Sequence, residues 1–561
     1  MTPALLSLTV IQGLVNPLHG NQLSPAEVTR IESDLGITLS EQEKADLTGV
    51  IFPDGPIPQW RVDAEDRIKE NRIANLRVEV VDPNGNPVSH ADVQIRQKSN
   101  AFRFGGIMSA KDFHDEDGNL QISTQRYKDL FLALFNSGGL DNGLKPRLRS
   151  GNEHLLPAIF EWAQANNLPM RGHTLIWPGN PNNNHMPNGE TSRFIEGEVP
   201  YNILSKVTAV EDAISSGVDQ QTIDNLKTDL RNEINFMITD WSSKWPVYEW
   251  DVINEPRANH QVQDVLGDAE MAEWFKITDV NSAIPECDLF LNENQVISAK
   301  SAQLQAGYYE QRRDNFMYNA NIIAQNGGPI NGLGFQSRFK WERLDPAIIH
   351  ARLEEFAQAY GYKMAGTEFE IVDREDSSGQ VVHSFTELER AVMTEEVMTA
   401  YYSHPLVTGL NAWTYMKDRT AAWCLYDGSV KLNGLVWYYL HRIRYSTNAD
   451  GTTGTDGSVL VEAHKGDYTI QVQAGGRDYS AEVSLDDDYT HRVVVEDSTI
   501  SGKWGIYDIF ESNFVDTAGW LGVLQVEHSP WIWSLDLATW VYTPLATVSD
   551  GLGWVYFPPA I

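Results

Sequence analysis

Two hydrophobic periods alternate along most of this chain. From residue 101 to 445, short apolar runs of strand length recur between longer stretches whose apolar residues return every three or four positions. Eight runs read as buried strands: 101–109 (AFRFGGIMS), 134–140 (LFNSGGL), 169–177 (PMRGHTLIW), 248–255 (YEWDVINE), 289–294 (LFLNEN), 330–339 (INGLGFQSRF), 363–372 (KMAGTEFEIV) and 409–416 (GLNAWTYM). Helical patterns such as LLPAIFEWAQANN and IIHARLEEFAQAYG lie between them. Near-continuous apolar strands followed by amphipathic helices are what a parallel sheet covered by helices requires. Eight such units in succession predict a (β/α)8 TIM barrel over 101–445, with its largest insertion at roughly 179–220.

Both ends break this rhythm. Residues 1–72 are polar and helix-leaning, with helix starts at Ser24-Pro25 and Ser40 and a Pro/Gly linker at 49–58. Residues 75–97 alternate around Pro83-Asn84-Gly85-Asn86-Pro87, which predicts a β-hairpin module at 73–100 packed on the barrel. Past 445 a Gly/Thr/Asp linker leads to alternating strands and then to a tryptophan-rich stretch. Trp504, Trp520, Trp531, Trp533, Trp540 and Trp554 account for six of the chain's 17 tryptophans. This predicts a small β-type C-terminal module over 446–561. Its indoles either form the core of a docked module or present an accessory carbohydrate-binding face, and the alternation with small residues favours the core.

Charge removes whole classes of function. Across 561 residues, 43 Lys and Arg face 77 Asp and Glu, a formal net charge of −34. Such a surface repels phosphate, so neither nucleic acid nor anionic membrane is an expected partner. No apolar run approaches the roughly 18 residues of a membrane span. Two cysteines, Cys287 and Cys424, exclude a disulfide scaffold and a cysteine zinc site. His185 lacks a suitably spaced second histidine, and neither 112–120 nor 448–457 fits a calcium loop. There is no P-loop and no GxSxG elbow. No metal and no cofactor are expected, and nothing in the sequence speaks to oligomeric state.

The chemistry lies in two strand ends. Barrel enzymes work where strands finish at the C-terminal face. The fourth predicted strand ends in Trp250-Asp251-Val252-Ile253-Asn254-Glu255-Pro256, and the seventh carries Thr367-Glu368-Phe369-Glu370. Strands four and seven face one another across a barrel mouth. Two carboxyl groups flanking one bond, one protonated and one ionised, are what glycoside hydrolysis needs.

With RGHTLIW, GLGFQSRF and GTEFEIV in the same order, WDVINEP resembles glycoside hydrolase family 10, the endo-β-1,4-xylanases. The resemblance covers about 101–445. It implies Glu255 as general acid/base and Glu368 as nucleophile of a retaining double displacement on xylan. It further implies sugar contacts from Asp141, Asn142 and Lys145 on the non-reducing side, from His173 and Trp177 after strand three, and from Asn254 to the 2-hydroxyl of the sugar being cleaved. Gln336 on strand six, Trp413 after strand eight and Trp423 as a second tryptophan of that loop complete the set. A related β-glucanase, or a silent polysaccharide-binding protein, are the alternative readings. A polymeric substrate implies a secreted protein, although the first residues, MTPALLSLTV, lack a basic leader segment.

Two positions depart from the family pattern. Arg338 stands where a histidine is usual, and Glu370 where an aspartate is usual. Positions i and i+2 share a strand face, so Gln336 with Arg338 and Glu368 with Glu370 point inward on neighbouring strands. An Arg338–Glu370 pair is therefore expected to replace the His–Asp contact beside the nucleophile. Pro178-Gly179-Asn180 also replaces a sugar-binding histidine after Trp177, which leaves that contact missing or supplied by the insertion.

Overall fold

The computed structural model describes residues 10–11, 22–179, 199–376, 378–495 and, in short pieces, 503–542. Its centre is a parallel barrel. The strands are β1 (Arg103–Met108), β2 (Ser137–Leu140), β3 (Arg171–Ile176), β4 (Glu249–Asn254), β5 (Asp288–Glu293), β6 (Gly332–Phe335), β7 (Lys363–Ile371) and β8 (Val407–Ala412). They hydrogen-bond in the order β2-β1-β8-β7-β6-β5-β4-β3. A parallel bridge from Gly138 to Met170 links β2 to β3, with the Gly138 amide donating to Pro169 at 2.9 Å. All eight strands predicted from the apolar runs form, each followed by a covering helix. Close packing shapes their sequences: a side chain at Gly172 on β3 would put its Cβ 2.0 Å from the Trp250 ring on β4.

Three strands are irregular near their C-terminal ends. The β7–β8 register shifts between Gly366 and Phe369, the β3–β4 register between His173 and Ile176, and the β4–β5 register between Asp251 and Ile253. An extra residue of this kind re-aims the side chains around it. Here it lets consecutive residues Thr367 and Glu368 both reach Asn292 inside the barrel. Phe369, pointing the other way, packs on Trp423 and Trp437 in the helical layer.

The N-terminal helices belong to the same core. Helices Pro25–Leu35 and Glu41–Ile51 start in capping boxes at Ser24 and Ser40, as the sequence predicts. The expected linker at 49–58 is helical in its first part, because Val50 and Ile51 are buried. Ile31, Leu35, Leu47 and Ile68 join the barrel's hydrophobic cluster. From helix Gln59–Arg72, Arg61 makes a buried bidentate ion pair with Glu395 of helix Glu387–Ser403. The three helices of the 1–72 segment thus pack on the barrel, whereas Val10–Ile11 pairs with strand Ser458–His464.

The predicted hairpin at 73–100 is corrected. Strands Ile73–Val81 and Asp92–Asn100 do not pair with each other. The first pairs with Ser458–His464 and Tyr489–Val494, the second with Asn448–Thr452 and Gly466–Ala474. Two four-stranded sheets result, closed over Leu76, Val78, Ile95, Val461, Ile470 and Leu485. Alternation located these strands, but alternation carries no information about partners 350 or more residues away. Since Asn100 leads directly into the start of β1, this sandwich sits at the barrel's N-terminal face, away from the mouth. A six-stranded antiparallel sheet at 503–542 is separate, with a core of Trp504, Val515, Leu524, Ile532 and Val541. Trp531 and Trp540 are exposed there, while Trp520 and Trp554 lie outside the described residues.

Of the predicted insertion, residues 180–198 with His185 also lie outside the described residues. Its later part is a helix, Tyr201–Ser215, packed on Gln220–Lys244. No helix among the described residues is long and apolar enough to cross a membrane.

Candidate active site

Glu255 follows β4 directly with a left-handed backbone, φ 53°. Its amide donates to the Asn292 carbonyl of β5 at 2.8 Å. The two carboxylate oxygens are in different situations. Oε1 accepts from Gln336 Nε2 at 2.6 Å and Asn294 Nδ2 at 3.0 Å, whereas Oε2 has, among the described residues, only Asn259 Nδ2, at 3.4 Å. Two short donors on Oε1 leave Oε2 as the oxygen free to carry and deliver a proton.

Glu368 on β7 is buried, 4% exposed. Its Oε1 accepts from Asn292 Nδ2 at 3.3 Å and lies 4.0 Å from His173 Nε2, and its Oε2 lies 3.8 Å from Arg338 Nη1. Burial pushes this carboxyl above its ordinary range, and the charges of His173, Arg338 and Lys145 oppose that push. Asn292 is the brace between the strands. It donates to Asn254 at 2.9 Å as well as to Glu368, and accepts from Thr367 at 2.7 Å. Gln336 is the second link, since its carbonyl accepts the Glu368 amide at 3.0 Å while its side chain holds Glu255.

The expected Arg338–Glu370 contact is present. The two residues are register partners, and Nε donates to Glu370 Oε1 at 2.7 Å. The fully buried Glu370 also takes a donor from Arg419 and one from Thr414 Oγ1 at 3.3 Å. Glu370 therefore fixes Arg338 along one edge, which leaves Nη1 directed at the Glu368 carboxylate.

Asp141, Asn142, Lys145, His173, Trp177 and Trp413 of the sugar-contact candidates gather on the β2–β3–β8 side, while Asn254 ends β4 and Gln336 follows β6. Lys145 Nζ donates to Asn142 Oδ1 at 3.1 Å and stands 5.1 Å from the Trp177 ring and 5.8 Å from the Trp413 ring. Burial lowers its pKa, and raises that of the nearby Asp141. His173 meets the edge of Trp413 at 5.7 Å, and its Nδ1 lies 2.8 Å from Asp251 Oδ2. Burial alone would raise Asp251, but Arg171, 2.8 Å away, and His173 hold it below its usual value. Trp177 Nε1 is buried with no hydrogen-bond partner among the described residues. A cavity of 470 Å³ extends from here, lined by Asp112, Asp141, Asn142, Trp413 and Arg419.

Trp423 is corrected. It is 1% exposed, packs on Phe369 and Trp437, and donates from Nε1 to the Trp413 carbonyl at 2.8 Å. It supports Trp413 from beneath and presents no face to the mouth.

Sequence reasoning left out Asn292, Asn294, Asn259, Asp251 and Arg419. Asn292 and Asn294 end the fifth strand, where position alone was a usable signal. Asn259 and Arg419 sit on loops with no motif. Another group, His350, Glu354 and His404, places possible metal-ligand atoms within 4.8 Å of one another, between helix Pro346–Tyr360 and the entry to β8, remote from the mouth.

A sequence profile agrees with this arrangement: that of glycosyl hydrolase family 10 matches residues 96–429, more than half of the chain. The chain belongs to glycosyl hydrolase family 10. The relatives it matches are distant. The anti-sigma-I factor RsgI6 of Acetivibrio thermocellus is 21% identical over 430 residues, 75% of this chain and 47% of that protein. Endo-1,4-beta-xylanase 2 of Arabidopsis thaliana is 22% identical over 422 residues, 73% of this chain and 33% of its own length. The chain thus spans between a third and a half of the length of these relatives. Among solved structures, xylanase 10B from Thermotoga petrophila RKU-1 in complex with xylobiose shares 17% identity over 60% of this chain and 92% of its own, with a TM-score of 0.42. A family 10 endoxylanase from a sugarcane soil metagenome shares 15% over 61% and 97%, with a TM-score of 0.45.

Proposed function

We propose that this chain is a retaining endo-β-1,4-xylanase in which Glu255 is the acid/base and Glu368 the nucleophile. The reading rests on one observation above all: the glutamates that end β4 and precede the end of β7 are braced to each other through Asn292, Asn254 and Gln336 inside one mouth. Glu255 Oε2 protonates the glycosidic oxygen while Glu368 attacks the anomeric carbon. The C–O bond breaks as the Glu368–sugar ester forms. Water, deprotonated by the now ionised Glu255, then displaces Glu368 from the opposite face, so the anomeric configuration is kept. Arg338, His173 and Lys145 oppose the upward push that burial gives Glu368, which favours the ionised form a nucleophile needs. Trp413 and Trp177 stack on pyranose faces and Asn254 reads a hydroxyl. Because the substrate is a polymer, the enzyme works outside the cell.

Azide tests both roles. With an activated aryl β-xylobioside, Glu255→Ala is expected to give the β-glycosyl azide, and Glu368→Ala the inverted α-glycosyl azide. Neither product forming, or both variants giving the same anomer, defeats the assignment. Comparing xylan with mixed-linkage glucan separates a xylanase from a β-glucanase.

A further inference from the structure

With 43 cations against 77 acids, this chain offers ample carboxylates to a lysine or arginine. Five cations on the β4–β7 side of the mouth take none. Arg257, Lys300, Arg312, Lys340 and Arg374 have no carboxylate within the 4.0 Å of an ion pair among the described residues. They come from the four successive segments that follow β4, β5, β6 and β7, Arg312 from the first turns of helix Tyr308–Gln325, and they converge. Arg257 and Arg312 both reach Asn294 Oδ1 at 3.5 Å. Arg312 also donates to the Tyr308 hydroxyl at 2.9 Å. Lys300 stands 4.7 Å from the Tyr308 ring and 4.3 Å from Trp341, with Arg374 at 5.3 Å and Lys340 at 5.4 Å from the same indole.

Asn294 ties this group to the chemistry, because its Nδ2 donates to Glu255 Oε1 at 3.0 Å. Arg257 and Arg312 therefore stand one side chain away from the proposed acid, and Lys300, Lys340 and Arg374 extend the group along Tyr308 and Trp341, on the side of Glu255 away from Lys145. The carboxylates that act on them belong to the site itself: Glu255 on Lys340, and Glu293 on Arg312. Burial, then the charge of Arg257, lowers Arg312, and burial with Arg338 and Arg312 lowers Lys340. Arg257 Nε is buried with no partner among the described residues. Crowded, partly dehydrated cations with unused donors and two aromatic faces are complementary to an anion carried on a ring.

We propose that Arg257, Lys300, Arg312, Lys340 and Arg374, with Tyr308 and Trp341, form a subsite for the carboxylate of a uronic acid branch on the polysaccharide, on the leaving-group side of Glu255. This rests on the xylanase reading. The ring stacks on Trp341 or Tyr308, and the guanidinium and ammonium groups take the carboxylate. A neutral xylan chain offers these groups hydroxyl acceptors but no opposite charge.

The test is kcat/KM on two xylo-oligosaccharides of equal length, one carrying a single uronic acid branch. The wild type is expected to favour the branched substrate by at least about tenfold at low ionic strength, the scale of one charge-assisted hydrogen bond. That advantage shrinks as salt is added. A Lys340→Gln/Arg374→Gln variant, and Lys300→Gln separately, lose most of the ratio while thermal unfolding shows each still folded. Equal rates on the two substrates in the wild type overturn the inference and leave the xylanase reading standing. So does a ratio that both variants preserve. Cleavage of neither substrate overturns the xylanase reading, and the inference with it. Free glucuronate inhibiting the enzyme, with no rate advantage for the branched chain, assigns the cations to a small acid and overturns the polysaccharide-borne subsite.

Discussion

The two walls of the mouth hold positive charge in opposite ways. On the β2–β3–β8 wall the buried cation Lys145 is fixed by Asn142 and flanked by Trp177 and Trp413. On the β4–β7 wall, four cations share two aromatic rings, Arg257 joins them at Asn294, and none of the five has an ion pair among the described residues. The first wall is organised to grip a neutral ring through stacking and oriented polar groups, which salt barely affects. The second stores unspent charge, which salt screens. Between them the two glutamates are joined through amides, so the walls share one catalytic centre while selecting for different chemistry.

The largest effects belong to that shared centre. Glu368→Ala is expected to cut kcat on xylan by at least about 10⁴-fold, as loss of a nucleophile does elsewhere. Binding of xylo-oligosaccharide, read by calorimetry, survives because both walls remain. If binding disappears together with turnover, the glutamate serves the structure of both walls and the division between them fails.

Next is the charge that reaches Glu368 from the cationic side. Burial raises this carboxyl, and Arg338 is one of the three charges opposing the rise. With Arg338→Met the folded pKa moves further up, so the ionised form is lost at a higher pH. The acidic limb of kcat/KM is therefore expected to shift toward neutrality, with a loss of about 10–100-fold at mildly acidic pH and less at higher pH. An unchanged acidic limb would show that Arg338 acts on Glu370 alone.

The paired tryptophans give a smaller and cleaner contrast. Trp413→Ala removes a stacking face that is still 9% exposed, so KM rises while the unfolding midpoint falls less than it does for Trp423→Ala. Trp423→Ala removes a fully buried indole and costs about 3–5 kcal/mol of stability, which appears as a lowered midpoint. The reverse pattern would return Trp423 to the sugar-binding set.

These outcomes also mark what the chain discloses before folding. All eight barrel strands are legible because each is a local apolar run, and Glu255 and Glu368 are legible because strand ends name the mouth. Arg338 with Glu370 follows from the two-residue period of a strand. The sandwich is not legible in this way. Ile73–Val81 and Asp92–Asn100 look like a hairpin, and only the distant strands Ser458–His464 and Gly466–Ala474 decide their pairing. Trp423 misleads for a related reason: an aromatic loop residue reads the same whether it faces sugar or Phe369. The cationic wall is invisible in sequence because its five residues come from the four separate segments that follow β4, β5, β6 and β7, each with no more than two of them.

The smallest expected effect tests how that wall tolerates a buried acid. Glu293 ends β5, 1% exposed, and accepts the amides of Asn294 at 2.8 Å and Arg257 at 3.1 Å. Burial, then the charge of Glu255, pushes its carboxyl up to about 7. The folded state therefore prefers the proton more strongly than the unfolded chain does. Stability from this preference is complete below the ordinary carboxylate range and is lost as pH rises toward about 7. Glutamine at 293 is neutral at every pH and keeps one acceptor for the two amides, so it carries a constant offset but no such loss. Between pH 5 and pH 8 the wild-type unfolding midpoint should fall by a few degrees more than that of Glu293→Gln. Equal falls would mean that Glu293 is already ionised at pH 5, in which case it is a carboxylate serving Arg257 and the β4–β7 wall is less short of negative charge than its ion pairs indicate.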